Sequence, residues 1–196
     1  MALLNLAAWL DCTEAEGPGR RFALWVQGCS IRCPGCCNPH MFDFVPKKIL
    51  EAAQVIQQIE KAHSLHHLEG VTFLGGEPML QARGLAAVAQ GARRLGLSVM
   101  VFTGYTLEQL ERMNLPGVKD LLDYTDVLVD GPYRADVPET ERNWVGSRNQ
   151  RFFYFTNRYD STIEYDPRYR RSVEIRIARD LRMTISGWPT QIVSAS

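Results

Sequence analysis

The sequence predicts an α/β fold with a mainly parallel sheet, an α/β barrel or part of one. Three observations predict it. Short apolar runs alternate with amphipathic stretches at helical spacing. Glycine-rich or polar segments follow several of those runs directly, as at the carboxyl edge of a parallel sheet. The chain, 196 residues with 45% hydrophobic and 22% charged, has the size and composition of one globular domain.

Arg21-Phe-Ala-Leu-Trp-Val26 is an apolar run of strand length, set off by the turn-forming Glu16-Gly-Pro-Gly19. Pro46 to His63 carries Ile49, Ala53, Ile56 and Ile59, a helical spacing with a proline near its start. Val71 to Leu74 is a second strand, ending in Gly75-Gly76, and Leu85, Val88, Ala89, Ala92 and Leu95 mark one face of a second helix. Ser98 to Phe102 reads as a strand, after which Thr106 can cap a helix carrying Leu107 and Leu110. A short helix over Gly117 to Tyr124 precedes a strand at Val127 to Val129, closed by Asp130-Gly131-Pro132. Beyond Tyr159 the period becomes two: Val173-Glu-Ile-Arg-Ile177 alternates, and Met183-Thr-Ile-Ser186 can return beside it as a β-hairpin. One domain over 1–196 is expected, with its core at about 15–157 and an appended β element at about 160–196.

Charge narrows the function classes. The 22 basic residues balance 22 acidic ones, so no net field points to nucleic acid or to an anionic membrane. The apolar stretch Met1 to Leu10 is short, lacks a basic start and ends at Asp11-Cys12, which argues against a signal peptide. No run approaches the roughly 18 apolar residues of a membrane span. The expected compartment is the cytoplasm.

The cysteines decide more. Four of the five, Cys29, Cys33, Cys36 and Cys37, lie within nine residues, and Cys12 stands apart. A disulfide framework spreads its cysteines; an odd total with four packed into one turn points to a metal site. Cys29-Ser-Ile-Arg-Cys33-Pro-Gly-Cys36 is a C-x3-C-x2-C loop placed directly after a strand. Four thiolates saturate an ordinary [4Fe-4S] cube, so three leave one iron open for chemistry. Zinc is the alternative, with Cys37 or His40 as fourth ligand, but structural zinc sites usually draw ligand pairs from separated segments.

Cys29, Cys33 and Cys36 followed by Asn38-Pro39 resemble the signature of radical S-adenosylmethionine (SAM) enzymes, and more narrowly the activating enzymes of anaerobic ribonucleotide reductase and related glycyl-radical activases. Further blocks resemble that family in order: Gly17-Pro-Gly19 with Arg20-Arg21, Gly75-Gly-Glu-Pro78, Thr103-Gly-Tyr105, Asp130-Gly-Pro-Tyr133, and Gly146-Ser-Arg-Asn-Gln-Arg151. The resemblance implies a partial (βα) barrel of radical SAM type with the β-hairpin as a C-terminal extension. It implies a [4Fe-4S] cluster on the three cysteines, with SAM chelating the fourth iron and yielding a 5′-deoxyadenosyl radical after one-electron reduction. It further implies a protein substrate, a glycyl-radical enzyme, and an electron donor such as flavodoxin or ferredoxin. A radical SAM enzyme acting on a peptide or other biosynthetic substrate is the runner-up. A non-catalytic iron–sulfur or zinc module is the reading from another class.

Residue by residue, the resemblance brings Gly75, Gly76, Glu77 and Pro78 to the SAM amino group, since glycine lets a backbone approach a ligand closely. Thr103 and Tyr105 are candidates for the ribose or adenine, against a helix cap plus a packed aromatic. Asp130 is a candidate near the SAM carboxylate only with a cation or proton between them; otherwise it is a turn residue. Asn149, Gln150 and Arg151 are candidate cofactor or substrate contacts, or loop-stabilising residues. His63, His66 and His67 suit a helix C-terminus. Cys37 is a candidate alternate ligand or redox liability, against the commoner reading of a small buried hydrophobe that also suits Cys12; Arg168, Arg170, Arg171, Arg176, Arg179 and Arg182 read as a solvated face ahead of a partner-docking one.

Overall fold

The computed structural model describes residues 2–170, 173–177 and 183–187. The order is β1 (Leu3–Thr13), β2 (Arg21–Val26), β3 (Lys48–Glu51), α1 (Ala52–His66), β4 (Gly70–Gly75), α2 (Ala82–Arg94) and β5 (Ser98–Phe102). There follow α3 (Leu107–Met113), α4 (Val118–Asp123), β6 (Val127–Asp130), β7 (Arg151–Tyr154), the one-turn α5 (Thr162–Tyr165), β8 (Val173–Ile177) and β9 (Met183–Gly187). Seven strands form one sheet in the order β3-β1-β2-β4-β5-β6-β7. Its centre, β2-β4-β5-β6, is parallel, and the flanking pairs are antiparallel. The fold is therefore mixed α/β with a mostly parallel central sheet.

The two faces of the sheet are covered differently. Phe22, Leu24 and Val26 point to the helical side, where Val55, Ile59 and Ala62 of α1 and Leu85, Val88, Ala89 and Ala92 of α2 complete the main core. Ala23 and Trp25, the alternate residues of β2, pack on the other side with Met41. Loops and the one-turn α5, whose Ile163 packs against Met100, Val127 and Val129, cover that second face in place of long helices, which leaves room for a cavity.

Arg21 heads β2 and is fully buried. Its guanidinium donates to Thr72 Oγ1 (2.6 Å), Val71 O (2.6 Å), Ser98 Oγ (2.9 Å) and Pro18 O (3.1 Å). Ser98 Oγ lies in turn 2.9 Å from the Tyr159 hydroxyl. Burial holds the Arg21 guanidinium below its ordinary value. This one side chain ties the Gly17-Pro-Gly19 turn to β4 and β5, which locates the start of the parallel sheet.

Three elements differ from the sequence expectation. The helix expected from Pro46 begins only at Ala52, because Lys48–Glu51 pairs with β1 as an edge strand. Glu51 and Gln54 then form a capping box at the helix start. The buried face is consequently Ala52, Val55, Ile59 and Ala62, while Ile49 and Ala53 are exposed. β1 and β7 also form where no strand was assigned, each completing an open edge of the parallel core. In all three cases the partner strand supplies hydrogen bonds that local propensity does not encode.

β8 and β9 pair antiparallel as a separate ladder, Ile175 opposite Ile185 and Ile177 opposite Met183. Arg168 pairs with Asp166 while its side chain stays 76% exposed, and Arg176 pairs with Glu174 at 40% exposure; Arg171, Arg179 and Arg182 lie outside the described residues. Among the described residues no helix is long and apolar enough to cross a membrane.

Candidate functional site

A cavity of about 620 Å³ opens on the loop-covered face, at the carboxyl ends of β2, β4 and β5. This lies within the range of small-molecule sites, roughly 300–1,000 Å³. Cys29, Cys33 and Cys36 line it, together with Gly75, Gly76, Glu77, Pro78, Thr103 and Gln150.

The cysteine loop leaves β2 through a closed neck. Gly28 N–H donates to Met41 O and Cys29 N–H to Phe42 O, both at 2.9 Å. Arg32 and Gly35 take left-handed backbone angles (φ 50° and 76°), and Cys36 N–H reaches Cys33 O at 3.2 Å. The loop therefore folds back on itself and turns its thiols to one side. Cys29 is buried, Cys33 and Cys36 are half-buried and Cys37 is exposed.

The thiols are electrostatically unequal. Burial pushes Cys33 up, partly opposed by a backbone hydrogen bond from Tyr133. Cys36 is pulled down to about 6, first by a hydrogen bond from Cys37 and further by the Asn38 N–H at 3.4 Å. Cys37, as the donor of that bond, is pushed up. Among the described residues, no three Cys, His, Asp or Glu side chains converge as around a single metal ion. Three thiols on one cavity fit a [4Fe-4S] group in number and softness.

The Gly75–Pro78 segment sits against the neck of that loop. Gly76 N–H donates to Val26 O at 2.8 Å and Glu77 N–H to Gly28 O at 2.9 Å. Gly75 holds a left-handed φ of 112°, and a Cβ on Gly76 would sit 2.3 Å from the Gly28 carbonyl oxygen, well inside van der Waals contact. The glycines are thus required for backbone-to-backbone approach between two loops, in addition to any contact with a ligand.

Glu77 is buried, and its carboxylate accepts from Thr103 Oγ1 (2.7 Å), Gly104 N–H (2.9 Å) and Met79 N–H (2.9 Å). Glu77 and Thr103 therefore spend themselves on each other, clamping the loops after β4 and β5. Burial pushes the Glu77 carboxyl up to about 7, against the three donors that favour its anion. A raised carboxyl contributes stability that is fully present below the ordinary carboxylate range and is lost as pH rises through about 7. Urea unfolding of the cluster-free protein should show the wild type losing on the order of 1–3 kcal/mol more than Glu77→Gln between pH 5 and 8. Equal slopes for the two proteins would remove the buried, proton-holding role.

The remaining expected residues divide. Gln150 lines the cavity, its Oε1 accepting from Gly146 N–H (2.9 Å) and Ser147 N–H (3.1 Å). Tyr105 stands back from the lining and meets Ser30 of the cysteine loop, hydroxyl to hydroxyl, at 3.0 Å. Asp130 is fully buried; it accepts from Leu107 N–H (2.7 Å), capping α3, and pairs with Arg151 (2.5 Å). Arg151 also pairs with Glu108 at 2.8 Å. Asn149 Nδ2–H donates to Pro132 O at 2.7 Å, and its side-chain Oδ1 is buried without a partner. Asp130 and Asn149 thus brace the turn after β6, and neither is among the residues lining the cavity.

Sequence reasoning missed two parts of the wall. One is Glu16, just before β2; the other is β9, whose Thr184, Ile185, Ser186 and Gly187 all line the cavity. Gly187 N–H donates to Glu16 at 2.6 Å. No local pattern joins positions this far apart.

Comparison with known proteins now decides the family. The family described as a 4Fe-4S single cluster domain matches residues 15–153. The chain belongs to this family. The anaerobic ribonucleoside-triphosphate reductase-activating protein of Pasteurella multocida (strain Pm70) is 31% identical over 161 residues, covering 78% of this chain and 99% of the relative. Proteins of the same name from enterobacteria phage T4 (28%, 79% and 96%) and Escherichia coli K12 (29%, 75% and 96%) are similar to it as well. This 4Fe-4S protein is a radical SAM enzyme of the activase type, with a [4Fe-4S] cluster and SAM as cofactors.

Proposed function

We propose that Cys29, Cys33 and Cys36 are the cluster ligands and that this enzyme generates a glycyl radical on an anaerobic ribonucleoside-triphosphate reductase. The observation that carries the reading is the shared cavity: three thiols of one C-x3-C-x2-C loop open onto the same space as Gly75–Pro78 and Thr103. The names of the relatives supply the substrate. When bound and reduced, the cluster with SAM supplies a 5′-deoxyadenosyl radical that abstracts a hydrogen atom.

The chain's own residues bind, orient and exclude water. The neck at Gly28 and Cys29 holds the thiol-bearing loop against the Gly75–Pro78 loop. Gly75, Gly76 and Pro78 present backbone to the amino acid end of SAM, with Glu77 acting behind them as a clamp. Thr103 and Gln150 flank the nucleoside end. Trp25, Leu74 and Phe102 give the floor an apolar surface that keeps water from a reactive carbon radical. A low-potential donor such as flavodoxin or ferredoxin delivers the electron. On this reading the sheet is a partial (βα) barrel of radical SAM type to which the β8–β9 ladder is appended, the whole forming one domain.

The test is anaerobic reconstitution with iron and sulfide, reduction with SAM present, and addition of the reductase from the same organism. About four irons per chain, 5′-deoxyadenosine, and a glycyl radical resonance on the reductase are expected. Stoichiometric zinc without SAM cleavage, or cleavage with no protein radical, would overturn the assignment.

A further inference from the structure

A glycyl radical on a protein substrate requires a backbone glycine to enter the thiol-lined cavity, and the enzyme already places one of its own there. Thr184, Ile185, Ser186 and Gly187 of β9 line the same space as Cys29, Cys33 and Cys36. Gly187 takes a left-handed φ of 89°, which glycine adopts freely, and its N–H donates to the Glu16 carboxylate at 2.6 Å. Glu16 lines the cavity too, directly ahead of the Gly17-Pro-Gly19 turn. A strand that ends in a glycine and is bonded to a carboxylate of the wall has the chemistry of the segment that the proposed reaction would bring in.

Little attaches this strand to the domain. β8 and β9 pair with each other and with no strand of the seven-stranded sheet. None of their described side chains joins a core cluster. Apart from Gly187, the described residues hold the ladder through Glu174, which accepts from Thr13 Oγ1, and Arg176, which donates to Cys12 O. Segments with few buried apolar contacts open at the low end of a protein's stability range. The ladder is also additional to the shared core. The Pasteurella multocida relative is matched over 99% of its own length but over only 78% of this chain, and the family match ends at residue 153, ahead of β8. A wall strand outside the matched core is one that the proposed reaction does not itself require.

We infer that β9 is an intramolecular stand-in for the glycine-bearing segment of the protein substrate: it closes the cavity in the free enzyme, and the reductase displaces it on binding. The inference rests on the proposed reaction. A cavity left open without substrate would expose a carbon radical to quenching. A strand that yields only to the partner's own segment keeps the site covered until that segment arrives. Closure lowers apparent affinity, since a site open for a fraction of the time has its dissociation constant raised by the inverse of that fraction.

The test uses the full-length reconstituted enzyme and the reductase from the same organism. Hydrogen exchange should find the β9 amides protected in the free wild type and exchanging at least about tenfold faster once the reductase saturates it. Protection that stays or deepens makes β9 a permanent wall and overturns the inference. Glu174→Ala/Arg176→Ala removes the latch and leaves every cavity-lining residue in place. Its KM for the reductase should fall about tenfold with kcat within about twofold, as when a closed state holding about nine-tenths of the population is released. An unchanged KM overturns the stand-in, and so does a raised one, which would mark β9 as an aid to substrate binding. A wild type that forms no radical on the reductase sinks the proposed reaction and the inference with it; read with radical formation intact, the other outcomes decide the inference alone.

Discussion

Cys33→Ala is expected to purify with little iron and to form no 5′-deoxyadenosine above background. Losing a residue that merely orients a metal ligand typically costs 10–100-fold in affinity or activity, so losing a ligand should exceed about 100-fold. Two thiolates hold two irons of a cube and leave the others to solvent and exogenous thiol. Cys33 lies half-buried on a loop outside the core clusters, so the variant should fold with an unchanged far-ultraviolet circular dichroism spectrum. Cys37→Ala is the matched control. Cys37 is exposed and serves Cys36 only as a hydrogen-bond donor, so that variant should keep its iron and at least about half of its turnover. Iron content and deoxyadenosine yield, measured side by side, check both. Full iron in Cys33→Ala would strike at the ligand assignment, and loss in both variants would argue for four protein ligands.

Arg21→Met should lower the melting temperature of the cluster-free protein by roughly 10 °C or more. Met matches the length of the stem but removes the donors. Thr72, Val71, Ser98 and Pro18 then lose a partner in a fully buried setting. Each stranded group costs about 1–3 kcal/mol, and removing one member of a buried network typically costs about 3–5 kcal/mol in all. At roughly 2–4 °C per kcal/mol for a chain of this size, the shift is large and easily read by differential scanning fluorimetry. Arg21→Lys should rescue little, because an ammonium cannot span a fork of acceptors on three segments. A shift below about 3 °C would mean that the arginine is a passenger.

These two residues also differ in how they announce themselves. The cysteines are legible in sequence because ligand spacing is a local property: three thiols must meet within one turn. The role of Arg21 is not. Read along the chain it is a charged residue at the head of an apolar run, and its acceptors come from β4, β5 and the preceding turn. Glu77 makes the same point within the site. Its motif marks it for the cavity, but Thr103 and Gly104, which occupy its carboxylate, arrive from the next strand. Asp130 and Asn149 sit in blocks that resemble site loops, and only packing reveals that their side chains turn back to Arg151, Leu107 and Pro132.

The sequence by itself determined the strands β2, β4, β5 and β6, the helices between them and the thiol loop, because each depends on periodicity or spacing over a few neighbours. Tertiary structure alone decided that Leu3–Thr13, Lys48–Glu51 and Arg151–Tyr154 become strands, since a sheet edge supplies hydrogen bonds to whatever chain reaches it. It also decided that Glu16 and β9 wall the cavity. Gly187 N–H and the Glu16 side-chain carboxylate, 171 positions apart, meet there in a hydrogen bond, and no short-range pattern can encode such a contact.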